Sequence, residues 1–144
     1  MEKVKIGVMG AYRGTSMINY CEQADNAQVV AICDKWVEGL ERQKAALNDP
    51  EIVYYTDFED FIRHDMDAVV LANYATEHAP FAIRAMKAGK HVFSEVLPAQ
   101  TMREAVELTV RSASNRGSHA TNSSPHFWAV SCARTSTLLE SLER

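Results

Sequence analysis

Two glycines and a carboxylate carry the first chemical signal. Gly10 and Gly14 lie in Ile6-Gly7-Val8-Met9-Gly10-Ala11-Tyr12-Arg13-Gly14, an apolar run that breaks into a glycine-containing turn. A turn of this kind, leading into a helix, aims unpaired backbone N–H groups at an anion such as a phosphate. Gly10 permits the tight turn, and Gly14 lets the helix pack close to the sheet. Tyr12 stands where a dinucleotide fingerprint usually has its second glycine, and the turn is one residue shorter than G-x-G-x-x-G. By itself the motif reads equally well as a plain turn. Asp34 tips the balance, because it ends the next apolar run 24 residues after Gly10, near the spacing of about 20 expected for the fingerprint. A carboxylate there accepts both hydroxyls of an adenosine ribose and repels a 2′-phosphate, which favours NAD over NADP. Lys35 and Arg13 keep NADP open, since either can face a 2′-phosphate. The alternative role for Asp34 is an N-cap for the helix that begins at Trp36.

The elements that must position these residues alternate in type. Val4–Met9, Gln28–Cys33, Glu51–Tyr55, Asp67–Ala72 and Lys90–Ser94 are short apolar runs and predict strands. Asp67–Ala72 is continuous and β-branched, which predicts burial on both faces. Between them, helical spacing covers Thr15–Ala24, Trp36–Leu47 and Thr76–Ala88, and a further helix runs from Thr101 to about Val110. Thr56-Asp57-Phe58-Glu59 and Thr101-Met102-Arg103-Glu104 read as capping boxes. Pro80 falls in the first turn of its helix, and Gly89 marks a C-terminal stop. Strands alternating with helices imply an α/β fold: a Rossmann-type, doubly wound parallel sheet with helices on both faces. Ligands of such sheets sit beyond the carboxyl ends of the strands. That rule selects Gly10–Gly14, Asp34–Trp36, Thr56, Asn73–His78 and Glu95–Pro98.

The totals exclude several classes. The 144 residues suit one domain with a core, and the net charge of −4 gives no basic surplus to recruit nucleic acid. No apolar run approaches the roughly 20 residues needed to cross a membrane, and the start shows no signal segment. Cys21, Cys33 and Cys132 form no CxxC pair and no disulfide framework; no metal site is expected. The reading is a reduced, cytoplasmic protein with Cys21 and Cys33 as buried thiols.

From the fourth strand onward the residues become specific. Asp67-Ala68-Val69, His78, Ala85, Ala88-Gly89-Lys90-His91-Val92, Glu95, Ala99, Thr101, Glu104 and Ala105 fall in register. The pattern resembles the nucleotide-binding half of the glucose–fructose oxidoreductase/inositol dehydrogenase (Gfo/Idh/MocA) family. The likeness spans about residues 3–110. It implies a Rossmann domain that binds NAD(P), joined in relatives to a second domain that binds a sugar-like or polyol substrate. Carried over by position, Gly10, Ala11, Tyr12, Arg13 and Gly14 line the pyrophosphate, and Asp34 with Lys35 frames the adenine ribose. Asn73, Tyr74 and His78 lie along the nicotinamide side, and Glu95 reaches the nicotinamide ribose. One departure stands out. The family commonly has Glu-Lys-Pro, with the lysine placed for proton transfer, whereas this chain reads Glu95-Val96-Leu97-Pro98. Val96 replaces the lysine and cannot carry a proton; some relatives have a similar SEV version. His78 is the remaining acid–base candidate, weighed against a histidine that closes the cofactor site. His64 reads as an exposed loop residue and His91 as a strand residue, neither with assigned chemistry.

The boundaries drawn are 1–110 for the NAD(P)-binding domain and 111–144 for an atypical tail. The tail holds eleven Ser or Thr and carries +2, against −6 for residues 1–110. Its composition suggests a truncated product, read out of frame at its end, that lacks the substrate domain. Phe127–Cys132 is the one strand-like stretch in it. Ser124, His126 and Cys132 lack an orienting acid and receive no catalytic role.

These features yield a leading expectation and two rivals. The first is the NAD(P)-binding domain of an oxidoreductase acting on a sugar- or polyol-like substrate, with little or no turnover alone. The second is a non-catalytic dinucleotide-binding module or partner subunit. The third is an unliganded domain whose bare sheet edge drives self-association into a homo-oligomer.

Overall fold

The computed structural model describes residues 3–96, 99–114 and 127–129. Its strands are β1 (Val4–Met9), β2 (Ala27–Cys33), β3 (Val53–Tyr55), β4 (Ala68–Leu71), β5 (His91–Ser94) and β6 (Phe127–Ala129). The helices are α1 (Thr15–Gln23), α2 (Val37–Leu47), α3 (Phe58–Ile62), α4 (His78–Lys87) and α5 (Met102–Ser114), with a short 3-10 turn at Ala75–Glu77 ahead of α4. All strand pairs are parallel, in the order β3-β2-β1-β4-β5-β6. The reversal of order on either side of β1 is what opens a crevice above its carboxyl end.

Two apolar clusters show why the sheet is covered on both faces. On one face Met9, Ala31, Val69, Leu71 and Val92 pack against Phe58, Phe61 and Ile62 of α3, against Ala82, Ala85 and Met86 of α4, and against Leu108 of α5. On the other, Ile6, Val8, Val29, Ile32, Val70 and Phe93 meet Met17, Ile18 and Cys21 of α1 and Leu40 of α2. Alternate residues of one strand therefore feed opposite cores. The four residues of β4 are all buried, as the continuous apolar run predicts.

Several local expectations shift. The first capping box gives way to Asp57: its Oδ1 accepts from the N–H of Glu59 at 2.7 Å and of Asp60 at 3.3 Å. Starting the helix at Phe58 turns Phe58, Phe61 and Ile62 into the core together, and Asp caps as well as Thr. The second box forms as expected. Glu104 Oε2 accepts from the N–H of Gln100 and Thr101, while Thr101 Oγ1 accepts from the Glu104 N–H. His64 is half-buried rather than an exposed loop residue, its Nδ1 lying 2.9 Å from the Tyr55 hydroxyl. Lys90 precedes β5, and its ammonium donates to the Met66 carbonyl at 2.7 Å.

The helix expected to stop near Val110 continues to Ser114, across the boundary drawn there. Phe127–Ala129, inside the strand-like stretch of the tail, pairs in parallel with Val92–Ser94. The edge of β5 expected to lie bare is thus paired. Ser124, His126 and Cys132 lie outside the described residues. Among the described residues no helix is long and apolar enough to cross a membrane.

Candidate functional site

A cavity of about 420 Å³ opens at the carboxyl end of β1 and is walled by the loops after β1, β2 and β4. Its floor is the glycine turn. Gly10 has φ +107°, a conformation L-residues with a Cβ rarely adopt, and an added Cβ would stand 2.6 Å from the Ala72 carbonyl oxygen. Gly14, the N-cap of α1, would place a Cβ 2.5 Å from both the Gly10 carbonyl and Val8 Cγ1. Both glycines are therefore fixed by close backbone approach between the turn, β1 and β4.

The amides of the turn divide into two groups. The Gly14 N–H donates to the Gly10 carbonyl at 2.9 Å, and the Ala11 N–H donates to Asp34 Oδ2 at 2.7 Å. The N–H groups of Tyr12 and Arg13 take no hydrogen bond among the described residues. Those two amides, at the head of α1, are the donors left to meet an anion. On the far side of the turn, Gln43 of α2 donates to the Ala11 carbonyl and to Thr15 Oγ1, both at 2.7 Å. The turn is thus clamped by β2 on one side and by α2 on the other.

Asp34 does more than border the cavity. Oδ1 accepts from the Trp36 N–H at 2.9 Å while Oδ2 holds Ala11. The expected N-cap role is not filled as written, because Trp36 occupies the cap position of α2 and Asp34 supports its N–H from two residues back. Each carboxylate oxygen has a second lone pair, so acceptor capacity for a diol remains. Lys35 reaches across to the β4 side, where its ammonium lies 3.0 Å from Glu77 Oε1. Arg13 also leans that way, with its guanidinium 5.6 Å from the Tyr74 ring centroid.

Glu77 receives two partners, since its Oε2 accepts from Asn73 Nδ2 at 3.2 Å. Burial raises the Glu77 carboxyl, but the hydrogen bonds from Lys35 and Asn73 bring it below its ordinary value overall. Asn73 Oδ1 is buried without a partner among the described residues. An orphaned acceptor in a cavity wall suits a ligand that brings hydroxyl or carboxamide donors.

His78 lies beneath the wall, fully buried. Its Nδ1 is 2.6 Å from Ser94 Oγ and its Nε2 3.2 Å from the Asn73 carbonyl, while Ser94 Oγ donates to the Val96 carbonyl at 2.8 Å. It ties the loop after β4 to the loop after β5. Burial lowers its pKa, the hydrogen bond to the Asn73 carbonyl and the charge of Glu95 opposing. Cys33 touches the cavity floor, and its thiol is pushed up to about 12 by burial, with Asp34 and Asp57 adding to the effect. A thiol so placed is no nucleophile at neutral pH.

Of the residues marked in the sequence, Gly10, Tyr12, Arg13, Asp34, Lys35, Asn73 and Tyr74 line the cavity together. Ala11 and Gly14 support it from behind, and His78 and Glu95 do not line it. Trp36 and Glu77 fall inside the strand-end stretches that the sequence selects but received no role there, though both wall the cavity; Gln43 was missed as a clamp. Glu77 sits one residue before the motif histidine and carried no other signal; Gln43 is brought in by the crossing of α2 alone. Among the described residues no group of three or more His, Cys, Asp or Glu side chains is placed to hold a metal ion.

Comparison with known proteins agrees with this geometry. Residues 4–121 match the family described as "Oxidoreductase family, NAD-binding Rossmann fold" (GFO_IDH_MocA). The chain is 33% identical over 117 residues to "Glycosyl hydrolase family 109 protein 2" of Shewanella sp. (strain ANA-3), covering 75% of this chain and 26% of that one. It thus spans about a quarter of the length of the curated relatives it matches. The WlbA dehydrogenase from Bordetella pertussis, solved in complex with NADH and UDP-GlcNAcA, superposes with a TM-score of 0.69 at 28% identity, covering 76% of this chain and 32% of that one. The scyllo-inositol dehydrogenase from Lactobacillus casei, solved with bound NAD(H) and scyllo-inositol, superposes with a TM-score of 0.76 at 24% identity, covering 89% and 36%; this last match speaks to the fold.

Proposed function

The chain belongs to the Gfo/Idh/MocA family of oxidoreductases, and from that premise we propose that it is the NAD-holding domain of an enzyme acting on a sugar- or polyol-like substrate. The observation that carries the reading is the pairing of two uncommitted amides, at Tyr12 and Arg13, with a carboxylate one strand away that is already oriented by two backbone N–H groups. The amides would take the pyrophosphate and Asp34 the adenosine diol, while Asn73 Oδ1 would accept from the nicotinamide side. When bound, the nicotinamide supplies hydride transfer. The protein's part is to hold it, through the clamped turn, and to keep His78 and Asn73 fixed behind it.

Proton transfer is where this chain has least to offer. Val96 stands at the position that carries lysine in much of the family, and His78 is turned inward onto Ser94 and Asn73. We infer that His78 is a positioning residue and that this chain alone gives little or no turnover. Isothermal titration with NAD, followed by absorbance at the NADH band with a panel of sugars and polyols, tests both halves. Binding in the micromolar to millimolar range without turnover is expected. Absence of binding refutes the site, and brisk turnover refutes the inactivity.

A second reading follows from the relatives named as family 109 glycosyl hydrolases. NAD-dependent glycoside hydrolases exist, and in the whole protein the same domain would serve bond cleavage rather than net oxidation. Release of an aglycone without accumulation of NADH by a full-length relative favours this reading; stoichiometric NADH favours the first.

A further inference from the structure

The two cations among the cavity's lining residues, Arg13 and Lys35, both reach toward the β4 side. The Lys35 ammonium pairs with Glu77 Oε1 at 3.0 Å, and the Arg13 guanidinium lies 5.6 Å from the Tyr74 ring centroid. Yet Lys35 directly follows Asp34, on the loop that would read the 2′ position of an adenosine. A free ammonium there attracts a 2′-phosphate and offsets the repulsion from Asp34. Glu77 is not free to drift off, because Asn73 Nδ2 also holds it through Oε2 at 3.2 Å.

We propose that Glu77 is a specificity-determining residue: by holding Lys35 in an ion pair across the cavity, it leaves Asp34 as the group that reads the cofactor's 2′ position and thereby selects NAD over NADP. The proposal rests on the cavity being a dinucleotide site. The pair spans from the loop after β2 to the turn before α4, so the selecting residue sits two strands away from the loop it governs. It is also partly exposed, so its effect is graded rather than absolute.

The test is titration of NAD and NADP into the whole chain as wild type and as Glu77→Gln, Lys35→Met and Glu77→Gln/Lys35→Met. Gln keeps an acceptor for Asn73 and removes the charge. Glu77→Gln is expected to raise NADP affinity about fivefold relative to NAD, the scale of one partly screened charge. Lys35→Met leaves Glu77 bare and is expected to shift the ratio the other way, and the double variant is expected to lose the gain. A ratio that stays put in Glu77→Gln while NAD binding persists overturns this proposal alone. The same rise in the double variant also overturns it, since Lys35 would not be the agent. A wild-type chain that binds neither cofactor removes the dinucleotide site itself, and the proposal with it.

Discussion

The Ala11 N–H donates to Asp34 Oδ2 at 2.7 Å. That bond joins the first glycine turn to the end of the neighbouring strand, and the other oxygen of the same carboxylate fixes the start of α2 through the Trp36 N–H. The residue expected to hold a ligand is therefore also a strut that shapes the ligand's floor.

Replacing Asp34 by Ala should accordingly act twice. It strands the part-buried Ala11 N–H, which costs about 1–3 kcal/mol of stability, leaves the exposed Trp36 N–H to water, and removes the acceptor for the ribose. Urea denaturation should show the first loss, and NAD titration should show a fall in affinity of about tenfold or more. Asp34→Asn keeps one acceptor and should fall between the two in both measurements. Equal stability for Asp34→Ala and wild type would contradict the strut.

The positive-φ glycines should separate by surroundings. Gly10→Ala combines a strained backbone with a Cβ 2.6 Å from the Ala72 carbonyl, and should lose on the order of 3 kcal/mol. Gly89 has φ +77° with nothing within 4 Å of an added Cβ, so Gly89→Asn should cost under about 1 kcal/mol. Thermal melts of the two variants check the ranking.

Stability should fall in mild acid. Burial holds the His78 pKa below its ordinary 6.5, so the unfolded chain binds the proton first as pH drops. The unfolded state then carries more protons, and unfolding becomes easier as pH falls from about 6.5 through the lower folded value. Denaturation midpoints at pH 7.5 and 5.5 should differ in wild type, and the difference should shrink in His78→Gln. An unchanged difference in the variant would assign the acid sensitivity elsewhere.

The thiols should be sluggish. Burial pushes Cys21 up to about 11 and Cys33 up to about 12. In a Cys132→Ser background at pH 8, alkylation by iodoacetamide should be slower in the folded protein than in urea by on the order of a hundredfold. Bound NAD should slow Cys33 further, since it lies at the cavity floor.

Much of this molecule was legible without coordinates. The apolar runs at Val4–Met9 and Asp67–Ala72 specify buried parallel strands because a chain of that hydrophobicity has nowhere else to go, and their alternation with helices fixes the topology. The rule that ligands gather at the strands' carboxyl ends follows from that topology and selected stretches that hold nine of the cavity's wall residues. Boundaries fared less well: nothing in Thr56-Asp57 says which of two good caps starts α3, a choice made by how Phe58 and Phe61 must face the core. A composition break near Val110 did not stop α5, whose Leu108 is held in the core against α4.

What the sequence determined by itself is the order of strands and helices and the glycine turn with its partner carboxylate, because those depend on periodicity, on chirality and on residues close together along the chain. What tertiary structure decided is which amides remain free and which charges are already matched. Asp34 takes the Ala11 N–H, Gln43 takes the Ala11 carbonyl, and Glu77 takes Lys35. The reason is physical: these partners lie 23 to 42 residues apart along the chain and meet when the sheet brings their loops to one end, so no local pattern can encode which of them pair.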